Sequence, residues 1–136
     1  MDNIMAAGVY LGNLRTQITH IKSENTVITD APTDNNGKGE AFSPTDLVSA
    51  ALSSCMTTIM GILADREKIE LTGLQSKVEK VMSANPRKIA EIKIHFFHPN
   101  LIATDVQKQN LKQAAVTCPV ALSLSSELKQ TISFDF

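Results

Sequence analysis

The chain has no excess of either charge. Its 136 residues carry 13 Lys and Arg against 14 Asp and Glu, a net charge of −1. That balance leaves no basic field to attract nucleic acid or an anionic membrane. Two cysteines and three histidines are also few. Two cysteines cannot build a four-cysteine zinc site, and His20, His95 and His98 are not spaced as partner ligands. No glycine-rich phosphate loop follows a strand pattern, and no Ser–His–Asp order is readable. The stretch Met1-Asp2-Asn3-Ile4-Met5 lacks the basic-then-apolar layout of a signal peptide. A cytoplasmic location is therefore expected, where a permanent structural disulfide is not. No low-complexity tract interrupts the chain. One domain over 1–136 is expected, large enough for a true core.

Charge is missing altogether from Leu47 to Ala64. The start signal just before that run is strong. Ser43 suits an N-cap, Pro44 suits the first helical position, and Asp46 stands three residues after the cap, as in a capping box. Asp46 also lies at the positive end of the helix dipole. The run is apolar nearly all round, diluted by Ser, Thr and Ala, which predicts a helix buried on every side. A membrane span is the rival reading. Against it, the 18 residues are at the short limit for a bilayer, five are Ser or Thr, and Asp46 and Asp65-Arg66 close the run at once.

Three short segments precede this helix: Met5 to Leu11, Arg15 to Ile21 and Thr26 to Asp30. They are rich in Val, Ile and Thr and separated by Gly12-Asn13 and Ser23-Glu24-Asn25, which predicts an antiparallel meander. A polar loop, Ala31 to Glu40, then leads to the helix. After it, Leu71 to Ser83 and Lys88 to His98 predict a second antiparallel hairpin about Ala84-Asn85-Pro86-Arg87. Ala90, Ile92, Ile94 and Phe96 form one face of the later strand. Thr104 and Gln107 predict a capping box opening a helix to about Val116. Pro119 predicts a further helix to about Lys129, with Cys118 as its N-cap. Thr131 to Phe136 closes the chain as a strand. This order predicts an α+β fold with antiparallel sheets around the central helix. One chain of this size has little to cover both flanks of that helix, which argues for a homodimer sharing one core.

The cysteines allow more than one reading. Cys55 has apolar neighbours one turn away, Ala51, Leu52 and Ile59, and burial makes a thiol inert. Reactivity would need a cation from elsewhere, because Cys55 lies about 16 Å along the helix from its start. Asp46, nine residues before Cys55, falls on the opposite face of an unbroken helix and reads as a cap. Cys118 has the better electrostatics, since an N-cap position meets free N–H groups and favours a thiolate. An ordinary turn cysteine is the plain alternative. Arg15 and Arg87 lie near turns, and Lys38 lies in the polar loop. All three, like the histidines, read first as solvated or ordinary residues.

Phe42-Ser43-Pro44-Thr45-Asp46-Leu47, Ala50-Ala51-Leu52-Ser53-Ser54-Cys55 and Cys118-Pro119-Val120 together resemble the osmotically inducible protein C / organic hydroperoxide resistance family. Thr29-Asp30-Ala31-Pro32 and the Gly37/Gly39 loop look like one branch of it. The resemblance covers nearly the whole chain. It implies an α+β fold in an intertwined homodimer with sites at the subunit interface. It also implies thiol peroxidase chemistry without a metal or organic cofactor. Residue by residue, Cys55 matches the peroxidatic cysteine and Cys118 the resolving one. The better-known members also use an arginine from the amino-terminal strands and a glutamate ten residues before the first cysteine. Here position 45 is threonine, and the acid is Asp46, one step later and one carbon shorter. Arg15 is the candidate arginine, by its place at a strand start.

The mechanism that the resemblance implies has four parts. Arg15 favours the Cys55 thiolate and orients an organic hydroperoxide. Cys55 becomes a sulfenic acid. Cys118 condenses with it to a disulfide. An external dithiol then reduces that disulfide. A second function from a different class stays open: a dimeric stress or small-molecule-binding protein with slow thiol chemistry or none. Threonine at position 45 favours it.

Overall fold

The computed structural model describes residues 3–136. Met1 and Asp2, which begin the stretch read above for a targeting layout, lie outside the described residues. The chain divides into two compact units, residues 1–47 and 48–136.

The first unit holds the predicted meander. Strands β1 (Ala6–Gly12), β2 (Arg15–His20) and β3 (Thr26–Asp30) pair in that order, antiparallel throughout. β-Branched residues favour these strands. The β1–β2 turn needs three consecutive left-handed residues: Gly12 (φ 85°), Asn13 (φ 56°) and Leu14 (φ 62°). It sets Arg15 opposite Gly12, and the β2–β3 connection then sets Arg15 opposite Asp30. The polar loop after β3 contains a single 3-10 turn, Thr33–Asn35. Gly37 is required there. A Cβ on it would stand 1.8 Å from the Ala31 carbonyl oxygen, an impossible contact.

Helix α1 (Pro44–Glu67) begins with the predicted capping box. The Asp46 amide donates to Ser43 Oγ at 3.0 Å, and the Ser43 amide donates to Asp46 Oδ2 at 3.0 Å. Two otherwise orphaned N–H groups are thereby satisfied.

In the second unit, strands β4 (Gln75–Ser83) and β5 (Lys88–Phe97) form the predicted hairpin. Helices α2 (Asp105–Val116) and α3 (Pro119–Ser123) follow, then strand β6 (Lys129–Asp135). The predicted capping box of α2 is formed between Thr104 and Gln107. Ile92, Ile94 and Phe96 all point into the core, as their alternation predicts. They meet Leu52, Met56, Met60 and Ala64 of α1 and Leu111 and Ala115 of α2. Phe134 stacks on Phe96 with ring centroids 5.4 Å apart.

Four expectations are corrected. First, β6 pairs with β5 in parallel, so the second sheet is mixed and not antiparallel. The helical crossover through α2 and α3 returns the chain in the same direction, as parallel pairing requires. Second, α3 ends at Ser123, well short of Lys129. Third, within one chain α1 is not buried all round. Ser49, Leu52, Ser53, Met56, Met60 and Ala64 form a buried stripe, whereas Val48, Ala51, Ser54, Thr58 and Ile62 are exposed. Fourth, Cys118 is buried, which opposes the thiolate that its N-cap position suggests. By length and composition alone α1 is able to cross a membrane. Its buried stripe instead supplies the core of the second unit, and Ser53 Oγ donates to Ser76 Oγ at 2.9 Å.

Candidate functional site

The thiol pair lies wholly within the second unit. Cys55 sits midway along α1, between the buried stripe and the exposed face, and is partly accessible. Cys118 is 0% exposed. Both are free thiols. The chain reaches Cys118 by ending α2 at Thr117, and Pro119 then fixes the first residue of α3. That leaves Cys118 in extended backbone with its sulfur turned onto the helix it caps. The Ala121 amide donates to Cys118 Sγ at 3.4 Å.

Burial pushes the Cys118 thiol above its ordinary pKa. The Ala121 amide pulls the other way, and the neighbouring Cys55 thiol, within hydrogen-bonding reach, adds to the rise. The helix terminus therefore does not win: desolvation is the larger effect, and Cys118 rests as a neutral thiol. The two sulfurs are neighbours but unjoined, and they are not placed as a disulfide.

Arg15 is placed in the first unit, at the start of β2, within a network of acids. Its Nε donates to Asp30 Oδ1 at 2.7 Å and its Nη2 to Asp30 Oδ2 at 2.9 Å. Nη2 also donates to Glu40 Oε1 at 3.1 Å. The Glu40 amide donates to Asp30 Oδ2 at 3.1 Å. The bidentate guanidinium bond holds the Asp30 carboxyl below its ordinary pKa, against the opposing effect of burial, and raises that of Arg15. Asp30 is 1% exposed, the one buried carboxylate among the described residues. Asp30 and Glu40 went unassigned in the sequence reading. A turn centred on Ser23-Glu24-Asn25 would set position 15 opposite 33; the observed pairing of Thr19 with Thr26 shifts the register and sets Arg15 opposite Asp30.

The remaining candidates are quickly placed. Asp46 is bonded in the α1 capping box. Arg87 lies exposed in the β4–β5 turn. The Lys38 charge helps to lower the Asp30 pKa. The histidines serve local bonds: His20 with Ser23, His95 with Ser133, and His98 with the Thr72 carbonyl. No group of three His, Cys, Asp or Glu able to hold a metal occurs among the described residues. A cleft of about 500 Å³ opens beside α1, lined by Thr57, Thr58, Gly61 and Ile62 and by the chain from Ile69 to Leu74. Cys55 does not line it.

A family model described as OsmC-like protein matches residues 37–133. The chain therefore belongs to the OsmC-like family. Among solved structures, it is similar to a Psychrobacter arcticus 273-4 protein named for osmotic stress induction and a detoxification response. The two are 42% identical over 96% of this chain and 95% of that one, with a TM-score of 0.92. An organic hydroperoxide resistance protein OsmC of Legionella pneumophila shares the fold at 16% identity, over 98% of each chain, with a TM-score of 0.75. So does an organic hydroperoxide resistance protein of Vibrio cholerae with captopril in one of its active sites. It is 12% identical, covers 98% of this chain and 92% of that one, and gives a TM-score of 0.69. No curated protein matches by sequence.

Proposed function

We propose that this protein is a two-cysteine thiol peroxidase that reduces organic hydroperoxides in oxidative-stress defence. The observation that carries the reading is the thiol pair: a partly accessible Cys55 beside a buried Cys118 in an OsmC-family chain. Cys55, as thiolate, attacks the outer peroxide oxygen and the O–O bond breaks. The alcohol leaves, taking a proton, and Cys55 is left as a sulfenic acid. The Cys118 thiol attacks that sulfur, expelling water and forming the Cys55–Cys118 disulfide. An external dithiol returns both residues to thiols. Arg15 is the proposed activating cation, with Asp30 and Glu40 holding its guanidinium. Asp46 contributes by fixing the start of α1. No cofactor takes part in this scheme.

The working form is a homodimer of single 136-residue domains, in the cytoplasm. Val48, Ala51 and Ile62 on the outer face of α1 are the apolar surface that a second copy would cover. Peroxide and reductant must both still reach Cys55.

The test is direct. Reduced protein is treated with one equivalent of an alkyl hydroperoxide, quenched with an alkylating agent and weighed. Wild type is expected to lose both thiols to an intrachain bond. Cys118→Ser is expected to stop at a Cys55 sulfenic acid that a sulfenate-specific nucleophile traps. Cys55→Ser is expected to be inert, because its remaining thiol is buried and neutral. Arg15→Ala is expected to slow alkylation of Cys55 near neutral pH, measured in the Cys118→Ser background. Wild type that keeps both thiols over minutes sinks the peroxidase reading. The second reading, a slowly reacting stress or small-molecule-binding dimer, would replace it. Threonine at position 45 and the raised Cys118 thiol favour that alternative.

A further inference from the structure

The two thiols differ in accessibility, and that difference dictates how their disulfide is opened. We propose that an incoming reductant attacks the disulfide at Cys55, and that the first turn of α3 receives Cys118 as the departing thiolate. The inference rests on the two-cysteine reading above and assigns the direction of its last step.

Cys118 has no solvent-facing surface, and Leu111 and Ala115 of α2, both 0% exposed, belong to the same core. Cys55 keeps an accessible side. Thiol–disulfide exchange depends on access to the sulfur attacked and on how readily the other sulfur leaves. Access selects Cys55. Burial makes Cys118 a reluctant leaving group, so access decides the direction, and the Ala121 N–H, which its sulfur already accepts at 3.4 Å, offsets part of that reluctance. The far end of that residue is pinned as well: Gln130 Nε2 donates to the Ala121 carbonyl at 3.0 Å, holding α3 against β6. An N–H bond to an ionised sulfur is stronger than one to a neutral thiol, so the amide favours departure.

The electrons balance as follows. The reductant's thiolate attacks Cys55 Sγ and forms a mixed disulfide there. The Cys55–Cys118 bond breaks, and its electron pair leaves with Cys118. The Cys118 thiolate regains the Ala121 amide and then takes a proton, as burial favours. The second thiol of the same dithiol attacks the mixed disulfide and frees Cys55 as thiolate, and the reductant departs with its own two sulfurs joined as an intramolecular disulfide.

The test avoids peroxide, so that it is independent of the peroxidase reading. Wild type is oxidised with diamide and then given a short pulse of 2-mercaptoethanol, a monothiol that leaves a mixed disulfide. The reaction is quenched in acid, and the adduct is located by peptide mass spectrometry. The adduct is expected on Cys55 with Cys118 free, in at least about tenfold excess over the reverse. An adduct on Cys118, or an even split, overturns the proposal and leaves the peroxidase reading intact. Failure of diamide to join the cysteines overturns both. A disulfide that opens from Cys55 in a chain inert to hydroperoxide supports the proposal and sinks only the peroxidase step. Ala121→Pro removes the receiving N–H. It is expected to slow the first exchange about tenfold with the adduct still on Cys55, and an unchanged rate in the folded variant removes the leaving-group role. Should that variant fail to fold, the adduct map of wild type decides.

Discussion

The two units bury opposite kinds of side chain. In residues 48–136 the interior is apolar: Leu52, Met56, Met60, Ile92, Ile94, Phe96 and Leu111 are all fully buried or nearly so. In the described part of residues 1–47 the buried residues are Thr29, Asp30 and Ser43, all polar. Val9, Tyr10, Leu11, Leu14, Ile18, Val27 and Phe42 stay exposed there. The second unit is organised by the hydrophobic effect, and the first by register, turns and an ion pair in which Asp30 is buried and Arg15 half-buried. These exposed apolar side chains fall on both faces of the sheet: Ile18 and Val27 pair across one, and Val9, opposite Gln17, lies on the other. A three-stranded sheet that buries no large apolar side chain needs a cover to persist.

The harshest way to break the contrast is Leu52→Asp. Leu52 is 0% exposed, and an unpaired buried carboxylate costs on the order of several kcal/mol, a large share of a domain's stability. No cooperative thermal transition is expected by circular dichroism. Retention of one would show that the second unit does not rest on this core. Ala51→Asp, one residue earlier, separates folding from association. Ala51 is exposed in the single chain, so a charge there leaves the core of the second unit intact, although the helix reads from sequence as buried on every side. The variant is expected to fold and to sediment as a monomer at micromolar concentration, against a wild-type dimer. A persistent dimer would move the interface from α1 to the uncovered strands.

The third test sharpens the polar side of the comparison. Asp30→Asn is expected to lower the urea midpoint at neutral pH, because Arg15 loses its bidentate partner. The Asp30 carboxyl is held below its ordinary value near 3.8, chiefly by the Arg15 bond. Its stabilising effect is therefore complete above that value and is lost as pH falls through the depressed one. Wild-type and variant midpoints should converge on acidification, and a gap that stays constant would separate Asp30 from the stability of this unit. The smallest effect concerns Cys118. Its thiol is raised above the ordinary 9.0. Wild-type stability is thus full below that value and declines as pH climbs through the raised one. Cys118→Ser should flatten the decline, and identical alkaline slopes would contradict the buried-thiol assignment.

Local patterns in the sequence carried far. Ser43 with Asp46, Thr104 with Gln107, and Cys118 before Pro119 each mark a cap that the structure forms, because a cap is decided within four residues. The alternation through Ile92, Ile94 and Phe96 marks the buried face of β5, because strand periodicity is local too. Features that depend on distant chain were not readable. Direction is one: an alternating segment such as Thr131 to Phe136 looks the same in parallel and antiparallel pairing. Burial of Cys118 is another, since its N-cap geometry is local but the core around it is not. For the site, the thiol pair was legible and the acids around Arg15 were not. Nothing near Glu40 in sequence points to Arg15, twenty-five positions away.

The parallel return of β6 has a kinetic consequence. In the first unit, strands β2 and β3 zip from Thr19 against Thr26, a short loop to close. In the second, Ile94 must find Ile132, thirty-eight residues on, across α2 and α3. Long-range pairing of this kind closes a large loop before any contact repays it, and so it is slow. Until β6 docks, Phe96 lacks the ring of Phe134, and the edge of β5 stands open. Docking of β6 is thus expected to be slow, and Phe134→Ala, which removes the ring that meets Phe96, is expected to slow refolding in a stopped-flow measurement, an unchanged rate counting against it. The interval before β6 docks is when this protein is most exposed to aggregation, with β5 as the vulnerable edge.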